Sequence, residues 1–239
     1  SDLKNKSLVV IPARGGSKSI PNKNIIDING KPLIEWTILQ AQKSGSVDYI
    51  HVSTDSAKIA SIAIKAGANC DFLRPDDISG DDVGTVPTIL HSIEELGKTR
   101  LLFDVVLELQ PTYCLRGSEV ISDCVNVFED KDIQSAITCK RVETTEHPDY
   151  VIEASDNGMA KFGINNPGEF RRQELRPVYA CHGLVLAARV DSFQKNKSFF
   201  ADNCKLKILN DNNRFLDINT HEDLELMRMF VERYPNYLL

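Results

Sequence analysis

The stretch IPARGGSKSIPNKN, residues 11–24, sets Arg14, Lys18 and Lys23 around Gly15, Gly16, Ser17 and Asn24, directly behind an apolar run. Glycines let backbone N–H groups turn toward an anion, and the three cations supply fixed positive charge. That combination suits a phosphate cradle; the competing reading is a solvated turn whose charges only favour solubility. The stretch contains neither G-x-x-x-x-G-K-[ST] nor G-x-G-x-x-G, so it is neither a Walker loop nor a dinucleotide turn. Two carboxylates, Asp55 in STDS and Asp217 in RFLDIN, fall where strands are expected to end. Mg2+ takes one or two carboxylates beside substrate phosphate oxygens, so one such Asp is enough to hold it. A helix cap is the alternative use for Asp55.

These residues need a frame, and the hydrophobic pattern describes one. SLVVI (7–11), closed by Pro12, reads as a strand buried on both faces, and further strands are expected at 49–54, 69–73, 104–109 and 134–139. Helical stripes lie between them: Leu33, Ile34, Thr37, Ile38 and Ala41, then residues 56–67, then Thr85–Gly97, then Val120–Phe128. Strict alternation of this kind implies an α/β fold with a doubly wound, mostly parallel sheet, whose ligands sit at the carboxyl ends of the strands. The rhythm breaks after residue 140. YVIEASDNGMAKFGI (150–164) reads as a β-hairpin, so 141–180 is expected to form an inserted lid or dimerisation region within a single domain spanning 1–239. Strands resume at 183–190 and 204–209, RFLDIN is expected to hold Asp217 near the end of a late strand, and Thr220 with Asp223 spells a capping box before a last helix.

Bulk properties narrow the partners. With 28 Lys and Arg against 34 Asp and Glu, the net charge of −6 argues against a nucleic-acid ligand, so the local basic cluster points to a small one. The cysteines at 70, 114, 124, 139, 181 and 204 form no C-x-x-C pair and read as mostly buried free thiols rather than zinc ligands. No apolar run reaches the roughly eighteen residues of a membrane span, and the expected location is cytoplasmic.

The loop with Arg14, Ser17, Lys18, Lys23 and Asn24 resembles the R-x-x-S-K-(x)4-K-N signature of the acylneuraminate cytidylyltransferases, the CMP-sialic acid synthetases. NGKPLIEWTI, VSTDS, FLRPDDISGDD, ELQPTYCLR, RRQEL and LDINTHEDL follow in that family's order, so the resemblance covers nearly the whole chain. It implies a Rossmann-like nucleotidyltransferase that moves CMP from CTP to the anomeric 2-hydroxyl of a nine-carbon keto-deoxy sugar acid, works as a homodimer and uses Mg2+. By the same resemblance Arg14, Lys18 and Lys23 grip the triphosphate with Asn24, and Gly15, Gly16 and Ser17 shape the loop. Arg74, Asp81 and His182 lie near the nucleotide, and Asp217 and Asn219 hold the metal. Gln110 and Thr112 face the sugar, Arg171, Arg172 and Gln173 approach its carboxylate, and Phe199 and Phe200 wall its acyl pocket, in one reading from the second subunit.

The chain departs from the family pattern at several of these places. Asn219 replaces the second carboxylate of a late Asp-x-Asp, HGLVL with His182 replaces NGAIY, and QPTYCLR with Tyr113 and Cys114 replaces QPTSPLR. Gly80 stands for a serine and Ser19 for a common glycine. Another sugar acid, a sugar phosphate, or a catalytically weak nucleotide-binding role are the alternatives these differences leave open.

Overall fold

The computed structural model describes residues 6–162, 173 and 175–239. Its elements run β1 (Ser7–Pro12), β2 (Asp27–Ile28), β3 (Lys31–Pro32), α1 (Leu33–Ser44), β4 (Tyr49–Ser53), α2 (Ala57–Lys65), α3 (Thr85–Lys98), β5 (Val105–Glu108) and α4 (Ser118–Asn126). They continue with β6 (Ser135–Arg141), β7 (Ile152–Ala154), β8 (Ala160–Phe162), β9 (Tyr179–Arg189), α5 (Val190–Asn196), β10 (Cys204–Ile208) and α6 (His221–Arg233).

Side chains alternate across a strand, and β1 shows what that does here. Val9 and Ile11 pack on one face with Ile34 and Ile38 of α1, Ile59 and Ala63 of α2, and Val120, Ile121 and Cys124 of α4. Leu8 and Val10 pack on the other face with Ile89 and Leu96 of α3 and Phe193 of α5. Helices therefore cover both faces, as the unbroken apolar strands require. A third cluster joins Trp36, Ile28 and Leu115 to Leu224, Met227 and Val231 of α6, with the Trp36 indole donating to the Ile28 carbonyl at 2.8 Å.

The sheet order is β10-β6-β9-β5-β1-β4. β1 pairs in parallel with β4 and β5, and β6 with β10, while β9 is antiparallel to both its neighbours. Five strands thus share a direction and β9 alone opposes them. The hairpin expected at 150–164 is the β7–β8 pair, with Ile152 opposite Phe162.

Two expected strands are absent. Residues 69–73 make a single bridge, Asn69 with His51. Phe72 turns inward against the rings of His51 and His91, and the Arg74 amide hooks onto the Thr54 carbonyl, so the segment cannot run alongside β4. RFLDIN forms a 3-10 turn over Asn212–Phe215 and then an unpaired stretch. Its donors are taken elsewhere: Ile218 N–H goes to the Thr112 carbonyl, and Asn219 and Thr220 N–H go to the Asp223 carboxylate. All six cysteines are free, three of them buried (114, 124, 139) and Cys181 exposed.

Candidate active site

β1 ends in the basic loop. The Ala13 amide still bonds the Ser53 carbonyl of β4 at 2.9 Å, and the Gly15 amide then donates to Asp55 Oδ1 at 2.7 Å. A Cβ on Gly15 would lie 3.0 Å from that of Ser56, so close approach of the two strand ends is what requires glycine. Asp55 therefore fastens the loop, while Ser56 caps α2 by accepting from the Ile59 amide. Asn24 Nδ2 donates to the Arg14 carbonyl at 3.1 Å and closes the loop on itself.

Inside this turn is a cavity of about 260 Å³ lined by Arg14, Ser17, Lys18, Ser19, Lys23, Asn24 and Asp81. Asp81 pairs with both Arg14 and Lys18. Hydrogen bonds from Lys18 and then Arg14 hold its carboxyl below the usual range. Lys23 is half-buried, and burial pulls its ammonium down; Asp217 opposes this and Arg14 adds to it. A half-desolvated lysine beside a second cation is a group whose charge an arriving anion stabilises.

Asp217 connects this cradle to the rest of the site. Its Oδ2 accepts from Asn219 Nδ2 at 2.7 Å, and its Oδ1 is buried with no hydrogen-bond partner among the described residues. Its charge is felt by groups from other elements, the Cys114 thiol weakly among them. Besides Lys23 these include Tyr113, pushed up to about 12 by burial first and then by Asp217, and His182. The His182 imidazole is pulled down by burial and Lys140, against Asp217 and Glu146. The loop after β1, the loop after β5, the start of β9 and the segment before α6 thus converge at one end of the sheet, the carboxyl end of the parallel strands.

His182 reaches this edge through an irregularity in β9. Pairing with β6 jumps from Leu186 opposite Ile137 to Cys181 opposite Cys139. Thr138 spans the gap: its hydroxyl donates at 2.6 Å to the His182 carbonyl and accepts from the Val185 amide at 3.2 Å. Bulges re-aim side chains in this way beside functional sites. The His182 ring lies 4.9 Å from that of Phe215, and a Cβ on Gly183 would sit 3.8 Å from both Gln110 Nε2 and the Tyr113 ring.

Other residues singled out from the sequence are placed as follows. Arg74 is buried and spends Nε and Nη2 on Ser53 Oγ and O, at 3.1 and 2.7 Å, which fixes the end of β4. Gln110 and Thr112 sit on the loop after β5, with Gln110 Nε2 3.5 Å from the buried Glu108 carboxyl, which burial pushes up. Gln173 lines a separate cavity of about 320 Å³ with Arg141, Glu143, His147 and Arg176. Arg171 and Arg172 lie outside the described residues. Phe199 is core, stacked on Phe193 at 4.6 Å, and Phe200 is exposed. Both precede β10, whose first residue Cys204 lies beside Ser135 at the start of β6, so they belong to the opposite end of the sheet from Lys23. Glu108, Arg116 and Thr138 escape sequence reading: the first and third lie within apolar strands, and the second reads as a turn residue before Gly117.

A mostly parallel α/β sheet with a cationic loop after its first strand, faced by a carboxylate at the same edge, has the frame of a nucleotidyltransferase. The chain belongs to the cytidylyltransferase family, which residues 8–234 match. It is 32% identical to a CMP-N,N'-diacetyllegionaminic acid synthase of Legionella pneumophila over 94% of this chain and 96% of that one. It is 28% identical to a pseudaminic acid cytidylyltransferase of Campylobacter jejuni, over 94% and 95%. Its fold is shared with a CMP:2-keto-3-deoxy-manno-octonic acid synthetase solved with CTP, at a TM-score of 0.69 and 18% identity over 96% of this chain and 99% of that one. Among the described residues no helix is long and apolar enough to cross a membrane.

Proposed function

We propose that the protein transfers CMP from CTP to the anomeric 2-hydroxyl of a nonulosonic acid and releases pyrophosphate. The observation that carries this reading is the meeting of the Arg14, Lys18 and Lys23 cradle with Asp217 at one sheet edge. Its 32% identity to a legionaminic acid synthase supports the choice of acceptor.

As the sugar hydroxyl gives its proton to solvent, its oxygen bonds to the α-phosphorus and the bond to pyrophosphate breaks, negative charge grows on the phosphoryl oxygens and the leaving group. Chain residues serve this step by alignment and neutralisation. Lys23 stands between the loop and Asp217 and is assigned to the α-phosphate, while Arg14 and Lys18 exchange Asp81 for the outer phosphates. Tyr113, with its hydroxyl near 12, stays protonated at neutral pH and offers a donor rather than a charge. No side-chain nucleophile is needed.

Among the described residues no cluster of three or more His, Cys, Asp or Glu could cage a metal. The orphaned Asp217 Oδ1 and the Asn219 amide oxygen are nevertheless hard donors that suit Mg2+ completing its shell with phosphate and water. When bound there, the ion supplies extra charge neutralisation at the phosphates. On the acceptor side we assign Gln110 and Thr112 to the sugar and Arg171, Arg172 and Gln173 to its carboxylate. Phe199 is spent on the core, whereas Phe200 is exposed at the far end of its own sheet, which favours its contribution from a second copy, and so a homodimer with 141–180 as the contact region. A reaction that consumes CTP belongs in the cytoplasm.

The test is pyrophosphate release with CTP, Mg2+ and a panel of legionaminic, pseudaminic, N-acetylneuraminic and octulosonic acids. Turnover on one nine-carbon acid is expected. CTP binding without turnover on any acid would instead assign a nucleotide-binding role.

A further inference from the structure

Arg116 is fully buried, yet among the described residues no carboxylate pairs with it. An unpaired buried cation costs several kcal/mol unless dipoles replace its water. Here they do. Nε donates to the Leu184 carbonyl, Nη1 to Gln40 Oε1 at 3.1 Å and Thr37 Oγ1 at 3.4 Å, and Nη2 to the Gln110 carbonyl at 2.7 Å. Burial pulls its pKa down, but these four acceptors hold the guanidinium. A neutral residue of like volume would serve a core as well or better, so the planar fork is retained for what it joins.

What it joins are the acceptor-side loop after β5 and β9 at Leu184. Residues 110–116 form no helix or strand, yet their carbonyls are tied from several elements. Gln110 is held by Arg116, Thr112 by the Ile218 amide, and Cys114 by Gln40 Nε2 at 2.6 Å. Leu115 and Arg116 are both held by Arg214 Nη1, at 3.3 and 3.1 Å. Arg116 also hydrogen-bonds β9, at Leu184, two residues beyond His182. A Cβ on the intervening Gly183 would be 3.8 Å from Gln110 Nε2, so a small drift of either segment would misalign both. We infer that Arg116 is a positioning residue: its guanidinium clamps the Gln110–Tyr113 loop to β9 at Leu184 and so sets the acceptor half of the site, leaving the phosphate cradle to its own supports.

This inference rests on the transferase reading for its kinetic test, but not for its structural one. Arg116→Lys keeps the charge and loses the fork. A misplacement of the acceptor by an ångström predicts about a hundredfold loss in kcat/KM for the sugar acid, with CTP affinity within about twofold of wild type. Hydrogen exchange should show amides 112–116 and 184–186 losing protection while 8–11 keep theirs. Sugar-acid kinetics within about threefold of wild type, unchanged protection, or equal losses for CTP and acid would each overturn the role. If Arg116→Lys does not fold, Thr37→Val removes one acceptor of the same fork; it should give a smaller loss confined to the acid, and an equal loss for CTP counts against the clamp. A wild-type protein without turnover would refute the transferase reading alone, and the exchange measurement would still decide the clamp.

Discussion

Lys23 and Asp81 take opposite parts in the cradle. Burial pulls the Lys23 ammonium down and Asp217 opposes that shift, so an α-phosphate growing more negative during transfer gains most from this charge. Lys23→Ala is expected to lower kcat by about a hundredfold to a thousandfold with a smaller change in KM for CTP, measured by pyrophosphate release; near-wild-type kcat would remove Lys23 from the chemistry. Asp81 occupies two of the cations that a triphosphate would use. Because the pairs it makes are at the surface, each is weak, and Asp81→Asn should tighten CTP binding by about twofold to fivefold in calorimetry. Weaker binding in that variant would make Asp81 a nucleotide contact instead of a stand-in for phosphate.

At the scale of elements, short local signals carried furthest. Thr220 and Asp223 form the expected capping box, with the Thr220 hydroxyl accepting from the Asp223 amide and the Asp223 carboxylate accepting from Asn219 and Thr220. Because that box starts immediately after Asp217 and Asn219, it also anchors the segment that carries them. Thr220→Ala should cost about 1 kcal/mol in urea unfolding at unchanged m-value, whereas no loss would mean that α6 is held by its apolar face alone. The loop at 14–24 was legible for the same reason: cations and glycines adjoin in the chain, and no distant partner is needed to notice them. Direction and pairing are another matter. The apolar run of β9 reads as a strand but carries no sign of running against its neighbours, and NCDFL has strand composition yet makes one bridge because Phe72 is drawn between two histidine rings. RFLDIN fails likewise, its backbone donors being claimed by Thr112 and Asp223. Arg116 was illegible because a charged residue before glycine looks like surface; the carbonyls of Leu184 and Gln110 and the Gln40 and Thr37 side chains of α1 make it interior.

For the molecule as a whole, pH acts through a residue outside the cradle. His51 on β4 is fully buried, both ring nitrogens lack hydrogen-bond partners among the described residues, and its ring lies 4.6 Å from that of Phe72, which meets His91 edge-on. Burial lowers its pKa to about 4, with Asp71 opposing and His91 and Arg74 adding to the shift. An unfolded histidine titrates near 6.5, so between those values the unfolded chain binds a proton that the folded chain refuses. Stability is therefore full above that window and falls as pH drops through it, by up to about 1.4 kcal/mol per pH unit. Urea midpoints measured from pH 7.5 to 4.5 should show this slope, and His51→Leu should flatten it; an unchanged slope in the variant would place the acid sensitivity elsewhere. The consequence reaches the site because the chain leads from His51 through the end of β4 to Asp55, which holds Gly15, and the segment packed on His51 runs from Phe72 to Arg74, which grips Ser53. Acid that loosens this corner thus slackens two of the supports of the phosphate loop together, and CTP affinity should decline with global stability over the same pH range.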